Sequence, residues 1–115
     1  MKHLLLVAAV LFLLAGISAA QSRTATVLIS TRIHCDHCKA CPTCGEHLEQ
    51  AVYALKGIKR VDLDEKSMTI QVVYNPAKTA PDQIRQAIAR AGYDADEVKA
   101  DPAAYAQLDD CCKKQ

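Results

Sequence analysis

Ten consecutive residues, Cys35-Asp-His-Cys38-Lys-Ala-Cys41-Pro-Thr-Cys44, hold four cysteines at a constant spacing of three. Two cysteines so spaced, where a loop enters the first turn of a helix, turn both sulfurs toward one point. The partial positive charge of the helix start favours thiolate, the form that binds metal or attacks a disulfide. Thiolates suit Cu(I), Hg(II), Zn(II) or Cd(II) and are wrong for Ca(II) or Mg(II). Four of them would close a tetrahedral site of the kind that favours zinc. His37 lies inside one C-x-x-C and is a candidate further ligand, whereas His34 and His47 read as solvated neighbours. The spacing also approaches the C-x2-C-x2-C-x3-C of iron–sulfur proteins, but misses it by one residue at the last step.

The remaining cysteines, Cys111 and Cys112, are adjacent near the end of the chain. Adjacent cysteines rarely bond to each other without strain, so this pair is either a soft-metal ligand pair or a tail without function. About 19 residues separate Gly92 from Cys111, enough chain at roughly 3.3 Å per residue to reach back to the cysteine-rich loop. Disulfides within that loop would close only tiny rings, which remove little denatured-state entropy. Metal binding is therefore the better reading of the cluster than a disulfide framework.

The segment that precedes these residues has the layout of a secretory signal peptide over residues 1–20. Lys2 supplies the basic start, Leu4 to Leu14 the short apolar run, and Ser18-Ala19-Ala20 the small residues of a cleavage point. Loss of Lys2 reduces 14 basic residues to 13, against 13 acidic ones, so the mature chain is neutral. A neutral domain without a basic stripe is a poor partner for nucleic acid or an anionic membrane surface. No later segment is apolar and long enough to insert stably in a membrane. At 115 residues the whole chain also buries too modest a core for a large enzyme with a deep cleft.

The elements that must position the cysteines follow from hydrophobic period. Residues 24–33 alternate, with Ala25, Val27, Ile29, Thr31 and Ile33 on one face of a strand. Cys44, Leu48, Ala51, Val52 and Leu55 form one stripe of a helix over about 43–56, which Gly57 stops. Val61 and Leu63, then Met68, Ile70, Val72 and Tyr74, predict two antiparallel strands around a turn at Glu65-Lys66-Ser67. Thr79 as cap, Pro81 in the first turn and Asp82 three residues after the cap predict a second helix, with Ile84, Ala87, Ile88 and Ala91 inward and Gly92 at its end. The order strand, helix, strand, strand, helix, with a weak apolar signal at Val98, is the α+β, ferredoxin-like βαββαβ sandwich whose fourth strand is short or missing. Residues 21–93 form the domain and residues 94–115 a polar tail, with a mobile end.

The residues from Cys41 through the helical stripe to Gly57-Ile58, the hairpin Val61 to Tyr74 and the ending Ile88-Ala-Arg-Ala-Gly92-Tyr93 resemble the heavy-metal-associated domain family. That family includes small copper chaperones, the amino-terminal domains of metal pumps and periplasmic mercuric-ion binding proteins. The resemblance, over about residues 24–93, implies a cysteine pair that binds a soft metal ion and hands it to a metal-transporting membrane protein or another metal-binding domain. Counted back from Gly57 it selects Cys41 and Cys44 as the primary pair. Counted forward from the first strand it selects Cys35 and Cys38, with Ile33 where the family has methionine. The binding loop is thus lengthened by about six residues and carries a second C-x-x-C. The resemblance also places Tyr93 beside the metal loop.

The expectation is an exported, periplasmic carrier of a soft metal ion without catalysis of its own, monomeric or bridged into a dimer by metal, with Cys111 and Cys112 as a tethered cap. Two other classes compete. A thiol-disulfide exchange protein would need a thioredoxin-like context that this order of elements lacks, and a structural module would use its cysteines for zinc or disulfides and serve only to bind a partner.

Overall fold

Alternation of apolar and polar residues builds the centre of the molecule. In the computed structural model, which describes residues 23–34 and 44–113, Ala25–Ser30 form β1, Ile58–Asp64 form β2 and Thr69–Tyr74 form β3. β3 lies between the other two and pairs antiparallel with both, giving the order β1-β3-β2. The register sets Val27 opposite Val72 and Val72 opposite Val61; one step along, Ile29, Ile70 and Leu63 align in the same way. These two apolar rows cross the sheet on one face, and the helices cover that face. The β2–β3 turn is held by the Asp64 carboxylate, which accepts from the backbone N–H of Lys66 and Ser67 at 2.9 and 3.3 Å.

The first helix, α1, spans Gly45–Tyr53 and the second, α2, Pro81–Arg90. Their 3.6-residue stripes bury Leu48 and Val52 from α1 and Ile84 and Ile88 from α2, and α1 packs against both β2 and α2. Gly57, at φ +82°, closes the segment after α1 and Gly92, at φ +103°, the one after α2. The cap of α2 differs from the expectation. Its N-cap is Ala80, not Thr79, because the Gln83 carboxamide oxygen accepts both the Ala80 N–H at 3.2 Å and the Thr79 hydroxyl at 2.9 Å. The side chain that satisfies the helix start thus reaches back from inside the helix.

Among the described residues the sheet has three strands, and where a fourth is expected Ala95 and Val98 form an isolated bridge with each other. Asp96 satisfies the outer edge of β1 instead: its N–H donates to the Ser30 carbonyl at 2.8 Å, and its carboxylate accepts the Ser30 N–H at 2.9 Å. This is the ferredoxin-like arrangement expected from the sequence, with the last strand reduced to a single contact.

The segment expected to end as a mobile tail is folded. Pro102–Gln107 form a third helix, α3, whose Asp101 cap accepts from the N–H of Ala103 and Ala104. Asp101 also donates its own N–H to the Ala89 carbonyl at 2.9 Å, tying α3 to α2. Backbone atoms of Ala104 and Tyr105 lie 3.1 Å from where a Cβ on Gly92 would stand, so that glycine admits the helix at close range. Beyond it Leu108 and Cys112, four apart, are buried in the same core as the sheet residues, and Asp110–Cys112 make one 3-10 turn.

Candidate metal centre

Cys44 stands at the N-cap of α1 with its side chain fully buried, the position where the helix start points its N–H groups and partial positive charge. Its carbonyl is held twice, by the Leu48 N–H at 3.0 Å and by the Tyr93 hydroxyl, which donates at 3.2 Å. Tyr93 is 2% exposed, and its ring centroid lies 6.4 Å from that of His47. The side chain that ends the α2 segment therefore fixes the residue that begins α1.

The folded C-terminal segment brings Cys112 to Cys44. The two form a disulfide with a Cα–Cα distance of 6.1 Å across a sequence separation of 68. The exposed Cys111 sulfur lies 3.9 Å from that of Cys112. Sulfurs of Cys44, Cys111 and Cys112 all fall within 4.8 Å of one another. Of the residues singled out in the sequence, the structure thus unites Cys44, Cys111, Cys112 and Tyr93 at one end of the domain. Cys35, Cys38, Cys41 and His37 lie outside the described residues. His34 is exposed beyond the end of β1, and His47 is exposed on α1.

Sequence reasoning weighed disulfides inside the cysteine-rich loop and passed over the long-range one. The signals for it were present: Asp101-Pro102 is a helix start of the kind sought before α2, and Leu108 and Cys112 are apolar positions in an otherwise polar stretch. Its shortness concealed it.

A family model for the heavy-metal-associated domain matches residues 27–94. The chain belongs to the heavy-metal-associated domain family. It carries a heavy-metal-binding domain, and the matched stretch runs from within β1 to just past Tyr93, so the segment that delivers Cys111 and Cys112 lies beyond it. Among solved structures it is similar to a CopZ metallochaperone, with 25% identity and a TM-score of 0.52 over 62% of this chain and 98% of that one. It is likewise similar to oxidized MerP from Ralstonia metallidurans CH34, with 29% identity and a TM-score of 0.53 over 64% of this chain and 94% of that one. A putative copper-ion-binding protein from Bacillus anthracis str. Ames shares the fold at 20% identity, with a TM-score of 0.55 over 65% of this chain and 99% of that one. No curated protein matches the chain significantly.

Proposed function

We propose that the protein is an exported, periplasmic carrier that binds a soft metal ion, Cu(I) or Hg(II) before Zn(II) or Cd(II), and passes it to a metal-transporting membrane protein or another metal-binding domain. The observation that carries this reading is the position of Cys44: a buried sulfur at a helix start, inside a heavy-metal-associated domain, with two further cysteine sulfurs beside it. The resemblance adds Cys41 as partner of Cys44 in the primary pair, and the second C-x-x-C of the lengthened loop adds Cys35, Cys38 and the His37 between them as further donors. Similarity at 25% identity to a metallochaperone supports the same class of role. Export rests on the leader over residues 1–20, and no helix among the described residues is long and apolar enough to cross a membrane.

The chemistry needed is ligand exchange without catalysis. A thiolate at the start of α1 is favoured by the helix field, and the Tyr93 hydroxyl holds the backbone from which that thiolate projects. Thiolates of a receiving protein then replace those of the carrier one at a time on the same ion, so that it is never released into water.

Anaerobic titration of the fully reduced protein with Cu(I), in competition with a chromogenic chelator, tests this. Cys44→Ser is expected to lower the apparent affinity more than the roughly 10–100-fold that loss of a mere supporting group costs. Equal affinity of the wild type and the Cys44→Ser variant would remove Cys44 from the site.

The disulfide with a third sulfur 3.9 Å away favours one second reading, thiol-disulfide exchange. A protein with that function would accelerate reduction of insulin by a small dithiol, and a metal carrier leaves the rate unchanged.

A further inference from the structure

The heavy-metal-associated match ends at residue 94, yet the chain spends its next 18 residues on returning two cysteines to the start of α1. That return is built. Asp101 caps α3 and bonds to α2, Gly92 lets α3 approach, and Leu108 is buried in the core. Lys113 donates from its ammonium to the Ala106 carbonyl at 2.8 Å, fastening the 3-10 turn to α3.

We infer that Cys111 and Cys112 are metal ligands of the reduced protein, which cap from within the chain the soft ion held by Cys44. This deepens the carrier reading and rests on it. With metal–sulfur bonds of about 2.3 Å, sulfurs around a tetrahedral ion stand roughly 3.8 Å apart. The Cys111 and Cys112 sulfurs are 3.9 Å apart, and no pair of the three sulfurs exceeds 4.8 Å. The Cys111 and Cys112 sulfurs thus already stand at ligand spacing, and the Cys44 and Cys112 sulfurs must separate to it when their bond opens. Docking also replaces the millimolar local concentration of a loose tether by a position fixed through Leu108.

Loading requires the Cys44–Cys112 disulfide to open. A dithiol reductant supplies two electrons and two protons: the sulfur–sulfur bond breaks, both cysteines become thiols, and the reductant leaves as its own disulfide. The incoming ion then displaces the thiol protons to solvent as the metal–sulfur bonds form. Exposure of Cys111 leaves one side of the site open to a receiving protein, whose thiolates enter there as the arm withdraws.

The test uses the full-length chain, fully reduced and loaded with one equivalent of Cu(I). X-ray absorption counts the sulfurs around copper, and glutathione in excess measures the rate of loss. Cys111→Ser with Cys112→Ser is expected to lower the sulfur count by at least one and to speed the loss about tenfold or more. Cys111→Ser alone, a change at an exposed side chain that leaves the core untouched, is expected to speed it by a smaller factor. An unchanged sulfur count and unchanged loss rates in both variants would overturn the cap. If in addition Cys44→Ser still abolished binding, the carrier reading would stand without it. If the reduced wild type bound no Cu(I) at all, the carrier reading itself would fail.

Discussion

Tyr93 joins the two halves of the site through a single polar atom. Its hydroxyl donates to the Cys44 carbonyl while the ring is buried, so a phenylalanine there keeps the packing and loses that bond. The carbonyl retains the Leu48 N–H, which limits the loss to a net hydrogen bond of about 1 kcal/mol. Tyr93→Phe is expected to lower stability by that amount in urea unfolding and to weaken Cu(I) binding, because the backbone that presents Cys44 gains freedom. Unchanged Cu(I) affinity alongside the stability loss would confine Tyr93 to a packing role. Its place beside the metal loop came from the family resemblance; the hydrogen bond that gives it a task came from the structure.

At the scale of elements, Asp96 replaces a missing strand. It pairs with the edge of β1 through its backbone and side chain, and the Arg85 Nε of α2 donates to its other carboxylate oxygen at 2.8 Å. The Arg85 hydrogen bond is the main reason its carboxyl is held below the ordinary value of 3.8, assisted by the Ser30 N–H and opposed by partial burial. A carboxyl whose folded pKa is depressed contributes stability that is present above the unfolded value and lost as pH falls through the folded one. Asp96→Asn keeps the shape and tolerates the positive φ of 52° at this position. It is expected to cost about 1–2 kcal/mol at pH 7, a figure kept low because both side chains are partly exposed. The gap between wild type and variant should narrow below about pH 4 in urea denaturation followed by circular dichroism. A gap that stayed constant from pH 7 to pH 3 would show that the charge of Asp96 contributes nothing.

For the whole molecule, the Cys44–Cys112 bond closes most of the domain into one ring. By the chain-entropy relation a crosslink across 68 residues contributes about 4 kcal/mol, and typical disulfides deliver about 2–4. Reduction of the intact protein with a phosphine, without any substitution, is expected to lower the unfolding free energy by about 2–4 kcal/mol in guanidinium titrations. The crosslink adds to the hold that Leu108 and the Asp101 cap already have on α3 and its 3-10 turn, so amide protons of residues 103–112 should lose part of their protection on reduction, without the arm leaving the core, while those of β3 keep theirs in full. Equal protection in both states would show that Leu108 and the Asp101 cap suffice to hold the arm.

Local chemistry decided much of this protein before folding is considered. Period-2 alternation defined β1, β2 and β3, and period-3.6 stripes defined α1 and α2, because one face of each element must leave water and the period declares which. The helical stripe set Cys44 at a helix start, where the first turn favours thiolate, and the family resemblance chose it, with Cys41, as the primary pair. Three features escaped that reading. The α2 cap moved from Thr79 to Ala80 because a side chain from within the helix won the competition for its first donors. The fourth strand gave way to Asp96, whose partners Ser30 and Arg85 are distant in sequence. Pairing of Cys44 with Cys112 depended on α3, a helix of six residues too short to assert itself by propensity, which forms through its Asp101 cap and its packing over Gly92. Contacts between residues near in sequence follow from pattern, whereas the arm that carries Cys111 and Cys112 to the site is placed by packing, which exists only once the core has formed.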